Sequence, residues 1–184
     1  MAWALGALLV AQQSFVSGRA LSQPNTRGAK ICYEGETYAL LCYTLPDNTP
    51  QNLDVADVTY VASYLRAYGR QLKNGRFFTM NAADTPDCGE WSLYSRNTVL
   101  ATAKHLNDTV NSSVLFEDIA TTIDGGENAT DAQKMAAIIG CLTDGGSLGV
   151  LVNSTNPAYG TATYLSSGYT PDGILIKITN TEPQ

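Results

Sequence analysis

Cys88-Gly89-Glu90-Trp91-Ser92-Leu93-Tyr94-Ser95 alternates apolar and polar residues, the period-two signature of a strand with one face buried. Trp91 and Leu93 fall on one side, Glu90, Ser92 and Tyr94 on the other. A second run, Val99 to Leu106, follows after a short connection, so the two predict an antiparallel meander. Working outward, Lys73-Asn74-Gly75 reads as a turn into the aromatic strand Arg76-Phe77-Phe78-Thr79-Met80. Thr37 to Leu45 reads as a strand that stops at the turn cluster Pro46-Asp47-Asn48-Thr49-Pro50, and Leu148 to Val152 and Gly173 to Thr179 are strand-like near the C-terminus.

Three segments carry helical spacing instead. After an N-cap at Asp54 or Asn52, the residues Val55, Val58, Val61, Ala62 and Leu65, extending to Leu72, share a face. Ser112 or Ser113 is the expected cap of a second helix with Val114, Leu115, Ile119 and Ile123 buried, stopped by Gly125-Gly126. Thr130-Asp131-Ala132-Gln133 is a capping box for a third, with Met135, Ala136, Ile138, Ile139 and Leu142 as its buried stripe and Cys141 near its end. The order of elements predicts an α+β fold, an antiparallel sheet with helices packed on one face, in effect a small α/β sandwich.

The 184 residues suit a single domain. Met1 to Val10 is apolar but far short of the roughly 20 residues that span a bilayer, and small residues at Gly18 and Ala20 suit signal cleavage. Residues 1–20 are therefore expected to be a signal peptide, 21–36 a flexible lead-in, 37–179 the domain and 180–184 a tail, in a secreted, extracellular protein without stable membrane insertion. Cys32, Cys42, Cys88 and Cys141 form an even set suited to two disulfides in an oxidising compartment. Of the three possible pairings, Cys32 with Cys42 and Cys88 with Cys141 is preferred. Asn107, Asn111, Asn128 and Asn153 each head a glycosylation sequon, a number close to what this Asn, Ser and Thr content gives by chance.

Charge and motif spacing narrow the chemistry. The formal charge is -6, and after His105 only Lys134 and Lys177 are basic, against nine acidic residues, which argues against nucleic acid as a partner. No C-x-x-C, phosphate loop or calcium loop is present, so no metal or other cofactor is expected. His105 is the only histidine, has no accompanying motif, and reads as structural; no catalytic residue is assigned. Glu90, Glu117 and Asp118 are the carboxylates that could serve a secreted carbohydrate hydrolase. Arg66, Arg70 and Lys73 at the end of the first helix read either as a patch for an anionic partner such as a phospholipid headgroup or as cations complementing the helix dipole. Tyr159, Tyr164 and Tyr169, in an irregular stretch, are the recognition candidates, because exposed tyrosines give large contacts at low entropic cost.

The succession Gly75-Arg76-Phe77-Phe78-Thr79-Met80, Cys88-Gly89-Glu90-Trp91-Ser92-Leu93-Tyr94, the helices and the closing Asp172-Gly173-Ile174-Leu175-Ile176-Lys177-Ile178 resembles small secreted proteins of filamentous fungi. It is similar in layout, over residues 54 to 179, to killer-toxin-like and necrosis-inducing effector families, which share a small α/β sandwich. The resemblance implies a non-enzymatic effector or toxin-like protein that binds an extracellular protein, membrane or cell-wall target of a host or competitor. The alternatives are the carboxylate-dependent hydrolase and an inhibitor of secreted enzymes.

Overall fold

The computed structural model describes residues 36–84, 89–107 and 109–182. In chain order these form β1 (Leu41–Cys42), α1 (Val55–Gly69), β2 (Phe77–Met80), β3 (Glu90–Arg96), β4 (Val99–His105), β5 (Ser112–Leu115), α2 (Phe116–Asp124), α3 (Asp131–Met135), a 3-10 segment Ile138–Asp144, β6 (Gly146–Gly149), a 3-10 turn Pro157–Gly160, α4 (Ala162–Leu165) and β7 (Ile174–Asn180). Alternation along β4 and β7 builds the core. Val99, Ala101 and Ala103 share one face with Ile174, Ile176 and Ile178, all buried, while Thr102, Lys104 and Lys177 share the other. The small Ala101 and Ala103 leave room for helices, and α1 and α2 pack there through Val58, Val61, Ala62, Leu65, Ile119 and Ile123. The fold is thus α+β, with a five-stranded antiparallel sheet in the order β1-β6-β7-β4-β3 and helices on one face. A separate two-stranded sheet joins β2 to β5.

Local chemistry explains the helices. Asp54 caps α1 by accepting from the Ala56 N–H at 2.8 Å, and Gly125 ends α2 in the left-handed region at φ 84°, where a side chain would be strained. The capping box at Thr130 forms, since its hydroxyl accepts from the Gln133 N–H and the Gln133 amide oxygen accepts from the Thr130 N–H.

Several expectations change. The second helix starts at Phe116 rather than Ser112, because Ser112–Leu115 pairs with Phe77–Met80 as a strand. The third helix ends at Met135, leaving Met135 and Leu142 exposed at 70% and 63%. A turn takes over there, in which a Cβ on Gly140 would lie 2.7 Å from the Met135 carbonyl. The strand expected over Thr37 to Leu45 reduces to Leu41–Cys42, because the chain turns at Thr44, whose carbonyl accepts from Asn48. The strand expected at Leu148 to Val152 begins earlier, at Gly146, in register with Ile178.

The preferred disulfide pairing is also corrected. Cys42 is bonded to Cys141, with Cα atoms 5.2 Å apart, so neither Cys32 with Cys42 nor Cys88 with Cys141 holds. The reason is tertiary: β1 pairs with β6, which sets Cys42 opposite Gly146, just past Cys141. Gly146 is needed there, as a Cβ would sit 2.5 Å from the Leu41 carbonyl and 3.0 Å from the Cys141 sulfur. Cys32, Cys88, the expected signal peptide and all of the lead-in but Glu36 lie outside the described residues. Glu36 itself belongs to the domain, held at 2.9 Å by both Lys104 and Lys177. At the other end β7 runs to Asn180, and Thr181 donates to Thr98 and Asn97.

Candidate functional site

Helix geometry places residues four apart on one side of the cylinder, and Tyr60, Tyr64 and Tyr68 occupy successive turns of α1, flanking the buried stripe of Val58, Val61 and Leu65. Tyr94 completes the set from β3. Strict alternation would put Tyr94 with Glu90 and Ser92, but a β-bulge between Ser92 and Tyr94 sets it opposite Ala101, on the helix-covered face. Its ring stacks on Tyr64 with centroids 3.8 Å apart and lies 6.5 Å from Tyr60. Tyr68 continues the row 6.4 Å beyond Tyr64 and meets Phe116 edge-on, and Phe116 and Trp91 both meet Phe78 edge-on.

Arginines mark both ends of this row. The Arg96 guanidinium lies 4.3 Å above the Tyr60 ring, and Arg76 lies 4.1 Å above Tyr68 and donates to its hydroxyl at 3.0 Å. Tyr60 and Tyr64 remain 44% and 40% exposed. The Tyr68 hydroxyl accepts from Arg76, and Tyr60 and Tyr94 share a side-chain hydrogen bond, so the row is held by its hydroxyls as well as its rings. The signal for this surface, Tyr60-x-x-x-Tyr64-x-x-x-Tyr68, was present in the sequence but lay beside the apolar stripe that defined the helix.

The tyrosines singled out from sequence lie elsewhere and do different work. Tyr159 and Tyr164 are buried in a satellite core with Leu115 and Ala158. The Tyr159 hydroxyl donates to Asp118 at 2.6 Å and accepts from the Leu115 N–H, and the Tyr164 hydroxyl donates to the Ser113 carbonyl. Burial pushes the Tyr164 phenol up to about 12, and burial together with the Asp118 carboxylate raises Tyr159 further. Tyr169 is half-buried, with its hydroxyl donated to Asn81. An exposed tyrosine loop is therefore absent from this stretch.

The cationic patch does not survive either. Arg66 is buried against Asp124 at 2.6 Å, and Arg70 is held by Glu117 at 2.6 Å and Glu127 at 2.9 Å. Only Lys73, past the end of α1, stays exposed without a carboxylate partner among the described residues. A cleft of about 610 Å³ beside these groups is lined by the paired Arg66, Arg70, Asp124 and Glu127 together with Lys134.

The carboxylates are separated by the sheet. Glu90 is on the helix-free face, where it pairs with Lys177 at 2.5 Å; Glu117 and Asp118 belong to α2 on the opposite face. Burial raises the Asp118 carboxyl, with the Tyr159 hydrogen bond offsetting part of the effect. Burial also opposes the charge of Glu36, but hydrogen bonds from Lys177 and Lys104 outweigh it and hold this carboxyl below its ordinary range. Lys177 behaves likewise: burial disfavours its ammonium, yet Glu90 and Glu36 keep it above the ordinary lysine value. Glu36, Glu90, Lys104 and Lys177 form an ion-pair network that, with Tyr43, lines a cleft of about 470 Å³.

His105 is fully buried at the end of β4, opposite Ile174. Among the described residues no three His, Cys, Asp or Glu side chains group to hold a metal, and no helix is long and apolar enough to cross a membrane. Of the sequon asparagines, Asn111, Asn128 and Asn153 are exposed and Asn107 is half-buried, while Asn107 and Asn111 accept hydrogen bonds from Thr109 and Ala82. Compared with protein-family models, curated proteins and solved structures, the chain has no significant match.

Proposed function

We propose that this is a secreted, non-enzymatic binding protein of effector or toxin-like type, which recognises an extracellular protein of a host or competitor through the tyrosine row of α1 and β3. The exposed Tyr60–Tyr94–Tyr64 stack with Arg96 and Arg76 at its ends is the observation that carries this reading. Tyrosine and arginine are the residue types that dominate binding energy at protein interfaces, and here the rings are already locked by stacking, so little side-chain entropy is lost on contact. Arg76, which has no carboxylate partner among the described residues, and Arg96, loosely paired with Asp57 at 3.8 Å, favour a partner with acidic groups at matching positions, despite the chain's own charge of -6. The Cys42–Cys141 bond and the apolar N-terminal segment support an oxidising, extracellular setting.

The test applies purified protein to host tissue and to competing microbes, alongside a Tyr60→Ser/Tyr64→Ser/Arg96→Ser variant. A response to the wild type that is lost in the variant, with thermal unfolding still cooperative, is the expected outcome. No response to the wild type, or an equal response to a folded variant, overturns the proposal.

A further inference from the structure

A second surface, away from the tyrosine row, has a different chemistry. Where the β2–β5 sheet meets α4 and the chain after it, a groove of about 370 Å³ is lined by Phe77, Thr79, Ser113, Thr163, Tyr164 and Tyr169, with Asn74 at its rim. That volume lies in the lower part of the ~300–1,000 Å³ range of small-molecule sites. No Asp, Glu, Lys or Arg contributes to the lining. Two larger clefts carry charged linings, and this uncharged one differs from both.

Its polar groups are hydroxyls and one amide, and several retain capacity. Thr79 and Ser113 hydroxyls share one hydrogen bond at 3.1 Å; whichever donates, the other's O–H is left to point elsewhere. Tyr164 and Tyr169 use their protons on Ser113 and Asn81, leaving phenol oxygens able to accept. The side chains of Asn74 and Thr163 have no hydrogen-bond partner among the described residues. Phe77, stacked on Tyr164 at 4.9 Å, and Tyr169 are half-buried and give the wall an aromatic surface.

We infer that this groove binds a neutral saccharide of one or two sugar rings. A sugar presents hydroxyls that each donate and accept, and hydroxyl and amide side chains, which can also do both, match them without an ion. It also presents a C–H face that packs on aromatic rings, excluding water without requiring an ion. A groove with both, and with no cation to select phosphate, sulfate or carboxylate, favours the uncharged sugar over an anionic ligand. This site is independent of the tyrosine row, and its test does not depend on the proposed function.

The experiment is a two-dimensional amide NMR titration with methyl glycosides and disaccharides of glucose, mannose, galactose and N-acetylglucosamine, with methyl glucuronide as the anionic comparison. At least one neutral sugar is expected to shift the Asn74 side-chain amide and the backbone amides of Gly75, Thr163 and Ser167 in a saturable way. Thr163→Trp, a bulky change at an exposed site, should weaken that binding at least tenfold while the rest of the spectrum is kept; Tyr64→Ser should leave it unchanged. The inference is overturned if no neutral sugar shifts these signals, if Thr163→Trp binds as the wild type does, or if the glucuronide binds as tightly.

Discussion

Tyr159 and Tyr164 are 7% and 8% exposed, whereas Tyr60 and Tyr64 are 44% and 40% exposed, although all four belong to one chemical type in one small domain. The first two hold the β5 strand to the segment before β7 through hydroxyls committed to Asp118, Leu115 and Ser113. The second two commit their ring faces to a neighbour and leave their edges outside. A tyrosine's role is therefore set by how far the fold encloses its ring, and chain irregularity is a poor guide to it.

The sharpest way to break this contrast is to truncate a member of the buried pair. Tyr164→Ala removes a ring packed on Phe77 and Tyr159, and should cost about 3–5 kcal/mol in urea unfolding. A loss within the range of a surface substitution would mean that these rings are not core.

A subtler change keeps the ring and removes only the hydroxyl. Tyr159→Phe leaves Asp118 and the Leu115 N–H without their partner and should cost about 1–3 kcal/mol. This cost should depend on pH. Burial raises Asp118 in the folded protein above its unfolded value of about 3.9, so its contribution is fully present below that value and is lost as pH rises through the folded pKa. The Tyr159 proton eases that loss by stabilising the carboxylate, so the Tyr159→Phe penalty should grow from acidic to neutral pH. A penalty that is flat with pH would show that the hydroxyl does not serve the carboxylate.

The smallest stability effect belongs to the exposed row. Tyr64→Ala gives up a stacked pair with Tyr94 and should cost about 0.5–1.5 kcal/mol by thermal unfolding, while abolishing any target response. A large stability loss with retained response would reverse the roles assigned to the two sets.

Much of the fold was legible because the local signals agreed with the tertiary outcome. Asp54 followed by Val58, Val61, Ala62 and Leu65 gave both a cap and a face, and α1 forms there, although it ends at Gly69 and leaves Leu72 exposed beyond it. The Thr130 box set a start, but a cap says nothing of length, and the chain leaves the helix at Met135 for a turn that needs Gly140. Val114 and Leu115 suited either period; pairing with Phe77 and Phe78, distant in sequence, decided for a strand. The disulfide was hidden for the same reason, since β1 meets β6 only in three dimensions. As to the candidate surface, three of its tyrosines were visible as a four-residue repeat, whereas the fourth arrives through a bulge that alternation alone places on the wrong side.

The position of β7 has a consequence for synthesis. It is the last described strand in chain order, yet it sits between β6 and β4 and is paired along its length with β4. Until Ile174–Asn180 emerges from the ribosome, the sheet exists at most as two unjoined halves, β1–β6 and β4–β3, each with an unsatisfied inner edge. The domain is therefore committed to folding late, after nearly all of it has been translated, and a chain stopped short of this strand would offer two open edges to its neighbours.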